Sequence, residues 1–360
     1  MNKNWTLTIL ATSLLSQVSL QAWSTGNNPP QEVPVDNDNF PFAPTQEWYT
    51  EESYLLMKPY MENMIYGNTD SFEQVNASNF TNKIKVKQPE FEWSSGARVA
   101  IGRYLPKHDL WDIGLTGTFF YTDTDDSADA NPSGGVGFNP SFISSPTNEG
   151  SFNWRLNYWT VDLMVGRLFD MTETTVFHPY VGVRGSFQYQ HASGKTLITN
   201  NSGQVPFLAT TKTSLDNDFW GVGPRVGTAF IYYFESHFSL LANISTSLLV
   251  GAQHLKSNAS NAAFTVVGNI EEQNNTKIKS NDSIGVIRSN VEASLGLGWE
   301  RWLKNNTVRI APSINFEGAL WFDMNQLYNI YVDGGLINVE QRRHGNLGLM
   351  GVSFNLQVDF

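Results

Sequence analysis

The sequence predicts an all-β protein: an antiparallel transmembrane β-barrel of about ten strands, with twelve as the alternative count. Three observations predict it. The segment from Val352 to Phe360 alternates strictly, with Val352, Phe354, Leu356, Val358 and Phe360 on one face and Ser353, Asn355, Gln357 and Asp359 on the other. A period of two is a strand with one wet and one apolar face. Short turns alternate with long polar stretches along the whole chain, the asymmetry of outer-membrane barrels. Aromatic residues gather at both ends of the strands, as two bilayer interfaces require.

Composition agrees. The chain has 360 residues, 41% hydrophobic and 13% aromatic, with 29 Gly and no Cys. A helical membrane protein would be far more apolar, whereas a barrel shows lipid only every second strand residue. Without Cys there is no disulfide, thiolate metal site or Cys nucleophile. A net charge of −11 argues against a nucleic-acid partner.

The N-terminus reads as an export signal. Met1 to Trp5 is short and basic, Leu7 to Leu20 is mostly apolar, and Ala22 closes a small-residue cleavage site ahead of Trp23. Residues 1–22 are therefore expected to be a signal peptide. Residues 23–47 hold Pro29, Pro30, Pro34, Pro41 and Pro44 and read as an extended linker on the inner side of the membrane. Residues 48–360 are the barrel.

The strands follow in order. The first runs from about Trp48 to Tyr66, with Leu55, Met57, Pro59 and Met61 facing one way and Lys58, Tyr60 and Glu62 the other. The second, about Phe91 to Tyr104, turns at Pro106 into the third, about Leu110 to Tyr121. The fourth and fifth, about Trp154 to Phe169 and Val176 to Gln190, meet near Glu173. The sixth and seventh, about Phe219 to Phe234 and Phe238 to Gly251, meet at Ser236. The eighth and ninth, about Ile287 to Trp302 and Val308 to Asp323, meet at Asn305, and the tenth is C-terminal. Five polar stretches lie between the hairpins, about 68–89, 123–153, 191–218, 252–285 and 324–346, and read as long outer loops.

Outward rows such as Val181, Val183 and Phe187, or Ile310, Ile314 and Phe316, carry no charge at mid-strand. A Lys or Arg there would cost about 2–4 kcal/mol. Arg103, Arg155, Arg167 and Arg301 fall at strand ends. Trp111, Phe169, Phe177, Tyr233, Phe238, Trp299 and Phe360 mark the turn side; Tyr121, Trp159, Tyr189, Trp220 and Phe322 mark the loop side. Phe360, an aromatic closing the last apolar row, is expected to act as an assembly signal.

Several segments are familiar in order and spacing: Phe91-Glu92-Trp93-Ser94-Ser95-Gly96-Ala97-Arg98, Asp162-Leu163-Met164-Val165-Gly166-Arg167, Pro179 to Gly185, Phe219 to Gly227, and Gly345 to Phe360. Together they resemble the MOMP-like (major outer-membrane-protein-like) family of pore-forming proteins of intracellular Gram-negative bacteria. The resemblance implies an outer-membrane porin. The missing Cys departs from the cross-linked members of that kind, so no disulfide-linked network is implied.

The inward rows hold the candidate chemistry. They carry Lys58, Arg98, Arg184, Arg225, Arg288 and Arg309, and the acids Glu62, Glu92, Asp112, Asp162, Glu292, Glu300, Glu317, Asp323 and Asp359. These either pair across a filled lumen or line a water channel with a mild preference for cations. Ten strands give a backbone diameter of roughly 20 Å. Inward glycines such as Gly102, Gly114, Gly166, Gly182, Gly223 and Gly227 leave space for water or receive larger side chains opposite. The expected function is a narrow porin for ions and small hydrophilic solutes; the alternative is a non-conducting adhesin or receptor displaying its loops.

No enzyme, cofactor or metal site is expected. The six His have no metal-ligand spacing, and no Gly-x-Ser-x-Gly elbow occurs. A ten-stranded surface protease of the omptin type would need Asp and His at the outer rim, where His191, His254 and His344 are the candidates. Expected partners are the lipid bilayer and its lipopolysaccharide, the barrel-assembly machinery, small ions and solutes, and further copies of the chain in a homo-oligomer.

Overall fold

A computed structural model describes residues 47–360 except 77–78, 106–109, 130–135, 141–148, 201–206, 235–236, 268–269, 304–306, 328–329, 334–335 and 340–343. The expected signal peptide, the Ala22/Trp23 cleavage site and nearly all of the linker lie outside these residues.

Ten strands form the wall: β1 (Trp48–Met61), β2 (Ser94–Leu105), β3 (Trp111–Asp129), β4 (Glu149–Arg167), β5 (Thr175–Asn200), β6 (Phe207–Tyr233), β7 (Phe238–Val267), β8 (Ile270–Trp299), β9 (Val308–Asn325) and β10 (Gly345–Asp359). Each pairs antiparallel with the next, and β10 returns to β1 from Tyr49↔Asp359 to Met61↔Leu347. The sheet closes into a barrel through its lower part; above it, among the described residues, β8 from Ile270 to Ser289 pairs only with β7 and remains an edge. Backbone hydrogen bonds between Trp48 and Phe360, 3.0 and 2.9 Å, finish the seam at the turn side. Two short pieces, Phe169–Thr172 and Arg301–Leu303, continue β4 and β8 and pair with β5 and β9. Among the described residues no helix is long and apolar enough to cross a membrane, and the strands supply the crossing.

The alternation that predicts the strands also sets their faces. Val181, Val183 and Phe187 on β5, Val222 and Val226 on β6, and Ile314 and Phe316 on β9 are exposed in an apolar band around the barrel. Trp111, Phe169, Phe238 and Phe360 ring its turn side, and Trp159, Tyr189, Trp220 and Phe322 its loop side. The end-of-strand arginines reach out of the band: Arg103 pairs with Glu47 at 2.5 Å, and the Arg167 guanidinium lies over the Phe169 ring at 4.7 Å. Tyr233 departs from its expected belt position. It is 5% exposed and points into the barrel.

Two further expectations are corrected. The polar stretches from 123 to 285 are mostly continued strand. β5 to β8 run to 26, 27, 30 and 30 residues, so little chain is left between β5 and β6 or between β7 and β8. Hydropathy marks a strand only where one face is apolar. Above the bilayer the outward face of these Asn-, Ser- and Thr-rich segments is polar, and the buried inward face is itself built largely of small or polar residues such as Ala192, Thr196, Thr213 and Ser257, so the hydropathy period fades. At about 3.3 Å per residue and about 40° tilt, β7 rises about 75 Å, three times the roughly 25 Å lipid-facing band. Short strands also occur within the other polar stretches. Gly67–Asn76 and Asn79–Lys87 form a hairpin with Val136–Pro140 as third strand, and Ile330–Asp333 pairs with Leu336–Val339.

In β1 the buried set is Leu55, Met57, Pro59 and Met61, while Lys58 and Tyr60 are exposed. Lys58 thus faces away from the lumen, because the lumen is apolar at that height. Pro59 is tolerated because pairing of β1 with β2 ends at Met57↔Ser94, leaving no second ladder for it to interrupt.

Candidate functional site: the barrel lumen

The lumen is built in layers. At the turn side Arg309 donates to Asp359 at 2.5 Å and to Glu300 at 2.8 Å. Tyr104, Leu168, Val176 and Tyr233 pack around this level, and the Tyr49 and Tyr104 rings lie 4.9 Å apart.

Above it lies a four-charge cluster. Adjacent strands bring Asp162 (β4) opposite Arg184 (β5), and Arg225 (β6) and Glu292 (β8) reach the same point from farther round the wall. Arg184 forks onto Asp162 through Nε and Nη2 at 2.6 and 2.8 Å and donates to Glu292 through Nη2 at 3.0 Å. Arg225 donates to Asp162, to Glu292 at 2.7 Å and to the Ser245 hydroxyl at 3.0 Å. Two guanidiniums and two carboxylates are thereby mutually neutralised, which the nearly complete burial of Asp162 and Arg184 requires. Arg98 forms a second fork across the lumen onto Glu317, 3.0 and 2.7 Å, and Ser353 also donates to Glu317.

The inward glycines mostly receive side chains. A Cβ at Gly102 or Gly114 would strike the Tyr49 ring, and one at Gly166 would strike His178 and Asp112. His178 sits 2.7 Å from Asp112, to which Tyr49 also donates at 3.4 Å. A cavity of about 400 Å³ remains between these groups. Six carboxylates (Glu51, Asp112, Asp162, Glu292, Glu300 and Glu317) and four guanidiniums (Arg98, Arg184, Arg225 and Arg309) line it. Glu51 and His178 are lumenal groups missed in the sequence. Each sits at even spacing from residues that do face inward, Ser53 and Tyr180, and that parity was the available signal.

On the loop side of the cavity the bore is closed by apolar side chains. Leu55, Met57 and Met61 from β1, Phe120 from β3, Trp154, Leu156 and Tyr158 from β4, Phe219 from β6, Leu249 from β7, Trp321 from β9 and Leu347 and Leu349 from β10 form one buried cluster. Trp321 lies edge-on to Tyr158 and Phe219, with ring centroids at 6.0 and 6.5 Å. Met64 and Tyr66, just after β1, cap the cluster from outside. Burial, with Asp126 opposite, raises the Tyr66 phenol above its ordinary range.

The remaining candidates lie elsewhere. Arg288 is at the outer end, on Asp323 at 2.7 Å and Gln253 at 2.6 Å. Glu62 follows β1, where its Oε2 accepts from the Asn346 backbone at 3.0 Å. Glu92 is exposed ahead of β2. His191 pairs with Asp216 at 2.6 Å and His344 with Asp323 at 2.9 Å. Among the described residues no His, Asp or Glu group is arranged to hold a metal ion.

A closed ten-stranded wall, a largely apolar, aromatic-rimmed band and a layered lumen define an outer-membrane β-barrel protein. The chain belongs to the family described as Legionella pneumophila major outer membrane protein precursor, whose profile matches residues 41–360. It resides in the bacterial outer membrane. No curated protein matches the chain. Among solved structures it is similar to the outer membrane protease OmpT of Escherichia coli, at 10% identity and TM-score 0.38, covering 89% of this chain and 99% of that one. It is also similar to the toluene transporter TodX of Pseudomonas putida, at 8% identity and TM-score 0.27, covering 88% and 91%. At such scores the similarity carries no weight for activity.

Proposed function

We propose that the chain is a pore-forming outer-membrane protein, non-enzymatic, passing small ions through a narrow lumen with a mild preference for cations. The observation that carries this is the charged cavity at membrane depth. Six carboxylates against four guanidiniums leave it net acidic even with every guanidinium paired, and carboxylates beside a water path raise the local cation concentration. The apolar layer around Trp321 is the barrier. Hydrophobic constrictions block conduction by excluding water, so current requires these side chains to move. Small, infrequent steps are the expected behaviour.

A second reading has its own support. The same apolar layer fits a filled barrel that only mounts an extracellular surface, an adhesin or receptor. Planar-bilayer recording of the folded protein separates the two. Wild type should give small cation-preferring steps, and Trp321→Ala combined with Met57→Ala should raise conductance and open time. No steps from either protein would place the non-conducting reading first.

A further inference from the structure

Four lysines gather on the outer side of the wall, beyond the loop-side aromatics. Cross-strand register sets Ser151, Lys195, Lys212, Ser260 and Lys277 side by side on β4 to β8. The neighbouring row, two residues nearer the bilayer, is Asn153, Ser193, Ser214, Asn258 and Lys279. Both rows share their face with lipid-facing Val183 and Phe187 on β5 and Trp220 and Val222 on β6, by strand alternation. They line a groove of about 670 Å³, with Asp125 and Asp126 at one end. None of the four lysines forms an ion pair with a described residue. Lys195 and Lys212 stand directly opposite each other, an arrangement of like charges that destabilises a sheet.

We propose that this groove binds the anionic core sugars of a lipopolysaccharide molecule in the outer leaflet. The wall presents what such a molecule needs, in order of height. The apolar band meets acyl chains. Trp159, Phe187 and Trp220 lie in register across β4 to β6 at the band's outer limit, where amphipathic and aromatic side chains meet headgroups. Two rows follow, Asn157, Tyr189, Asp218 and His254, then Arg155, His191, Asp216 and Lys256, in which Asp216 is paired with His191. Asn and Ser amides and hydroxyls come above them, suited to sugar hydroxyls. The lysines come last, as point charges for phosphate or carboxylate. Lys212 lies eight residues beyond Trp220, about 20 Å further along the barrel axis at about 3.3 Å per residue and about 40° tilt. That is too high for phosphates at the acyl-chain boundary and places the contact on charged sugars above them. An anion between Lys195 and Lys212 would also relieve their repulsion. The inference rests on the outer-membrane location and is independent of whether the lumen conducts.

The folded full-length barrel in detergent, titrated with core-bearing lipopolysaccharide or with lipid A alone and followed by native mass spectrometry, tests it. Core-bearing lipopolysaccharide should bind at least tenfold more tightly than lipid A, and the advantage should shrink as salt rises. Lys195→Gln with Lys212→Gln and Lys277→Gln should abolish the advantage, while the same three positions changed to Arg should keep it. Heat-modifiable mobility checks that each variant is folded. Equal affinity for the two lipids, or an unchanged advantage in the folded Gln variant, would overturn the proposal. So would tighter binding of a soluble sulphated polysaccharide than of core-bearing lipopolysaccharide, which would assign the groove to an extracellular glycan.

Discussion

Replacing Asp162 by Asn keeps its shape and removes one charge from the four-charge cluster. Asp162 is 1% exposed and accepts from both Arg184 nitrogens and from Arg225. Asn can offer one carbonyl oxygen; its amide would meet a guanidinium donor with another donor. Glu292 would then face two buried guanidiniums alone. Breaking a buried pair from one side costs about 3–5 kcal/mol, and losing one or two charge-assisted hydrogen bonds at about 1.5–3 kcal/mol each gives the same range. Removing a matched pair should cost less. Asp162→Leu with Arg184→Leu leaves Arg225 and Glu292 balanced at 2.7 Å, so the double variant should be no less stable than Asp162→Asn alone. Reversible urea unfolding in lipid vesicles, read by Trp fluorescence, measures all three. Asp162→Asn within about 1 kcal/mol of wild type, or a double variant clearly less stable than Asp162→Asn, would refute the view that the cluster is a buried, mutually compensated unit.

Other outcomes follow from the same geometry. Glu51→Gln with Asp112→Asn removes two cavity carboxylates outside the four-charge cluster; reversal potentials in a salt gradient should shift toward anions, and most at low salt. Deleting Phe360 removes the backbone bonds to Trp48 that end the seam; the fraction of heat-modifiable barrel in the membrane should fall several-fold in pulse-labelled cells, and unchanged yield would count against a role in assembly. An epitope tag near Asn131 or Asn200 should bind antibody on whole cells and one at Asn305 only after the outer membrane is opened; reversed labelling would invert the topology.

Much of the barrel was legible because lipid imposes one simple rule on a strand, apolar out. β3 to β6 and β10 obey it, and their inward residues Asp112, Asp162, Arg184, Arg225 and Asp359 were placed correctly from alternation alone. The rule fails where the medium changes. Lys58 and Met57 exchanged faces because the lumen is more apolar than the surroundings at the top of β1. The upper halves of β5 to β8 read as loops because small and polar residues occupy both faces, the buried inward one included (Ala192, Thr196, Thr213, Ser257), and that erases the period. Pairing was illegible for another reason. The contacts Arg98–Glu317 and Arg184–Glu292 join residues 219 and 108 positions apart, and alternation gives the face of a residue but not the height at which shear brings it round the barrel. The excess of acids over bases was readable; that the bases would hold Asp162 and Glu292 in a fixed cluster was not.

The height of the wall bears on what another cell or an antibody would meet. Over most of β5 to β8 the surface is a grid in which nearest neighbours belong to different strands: Lys195 touches Ser151 and Lys212, residues 44 and 17 positions away in the chain. Recognition of this surface is therefore recognition of rows running across the strands. Antisera raised against linear peptides from 191–200 or 207–218 should bind the denatured chain and miss the native cell. Proteases, which need a single unpaired strand in their clefts, should find few places to cut above the bilayer despite the polar, open-looking sequence there.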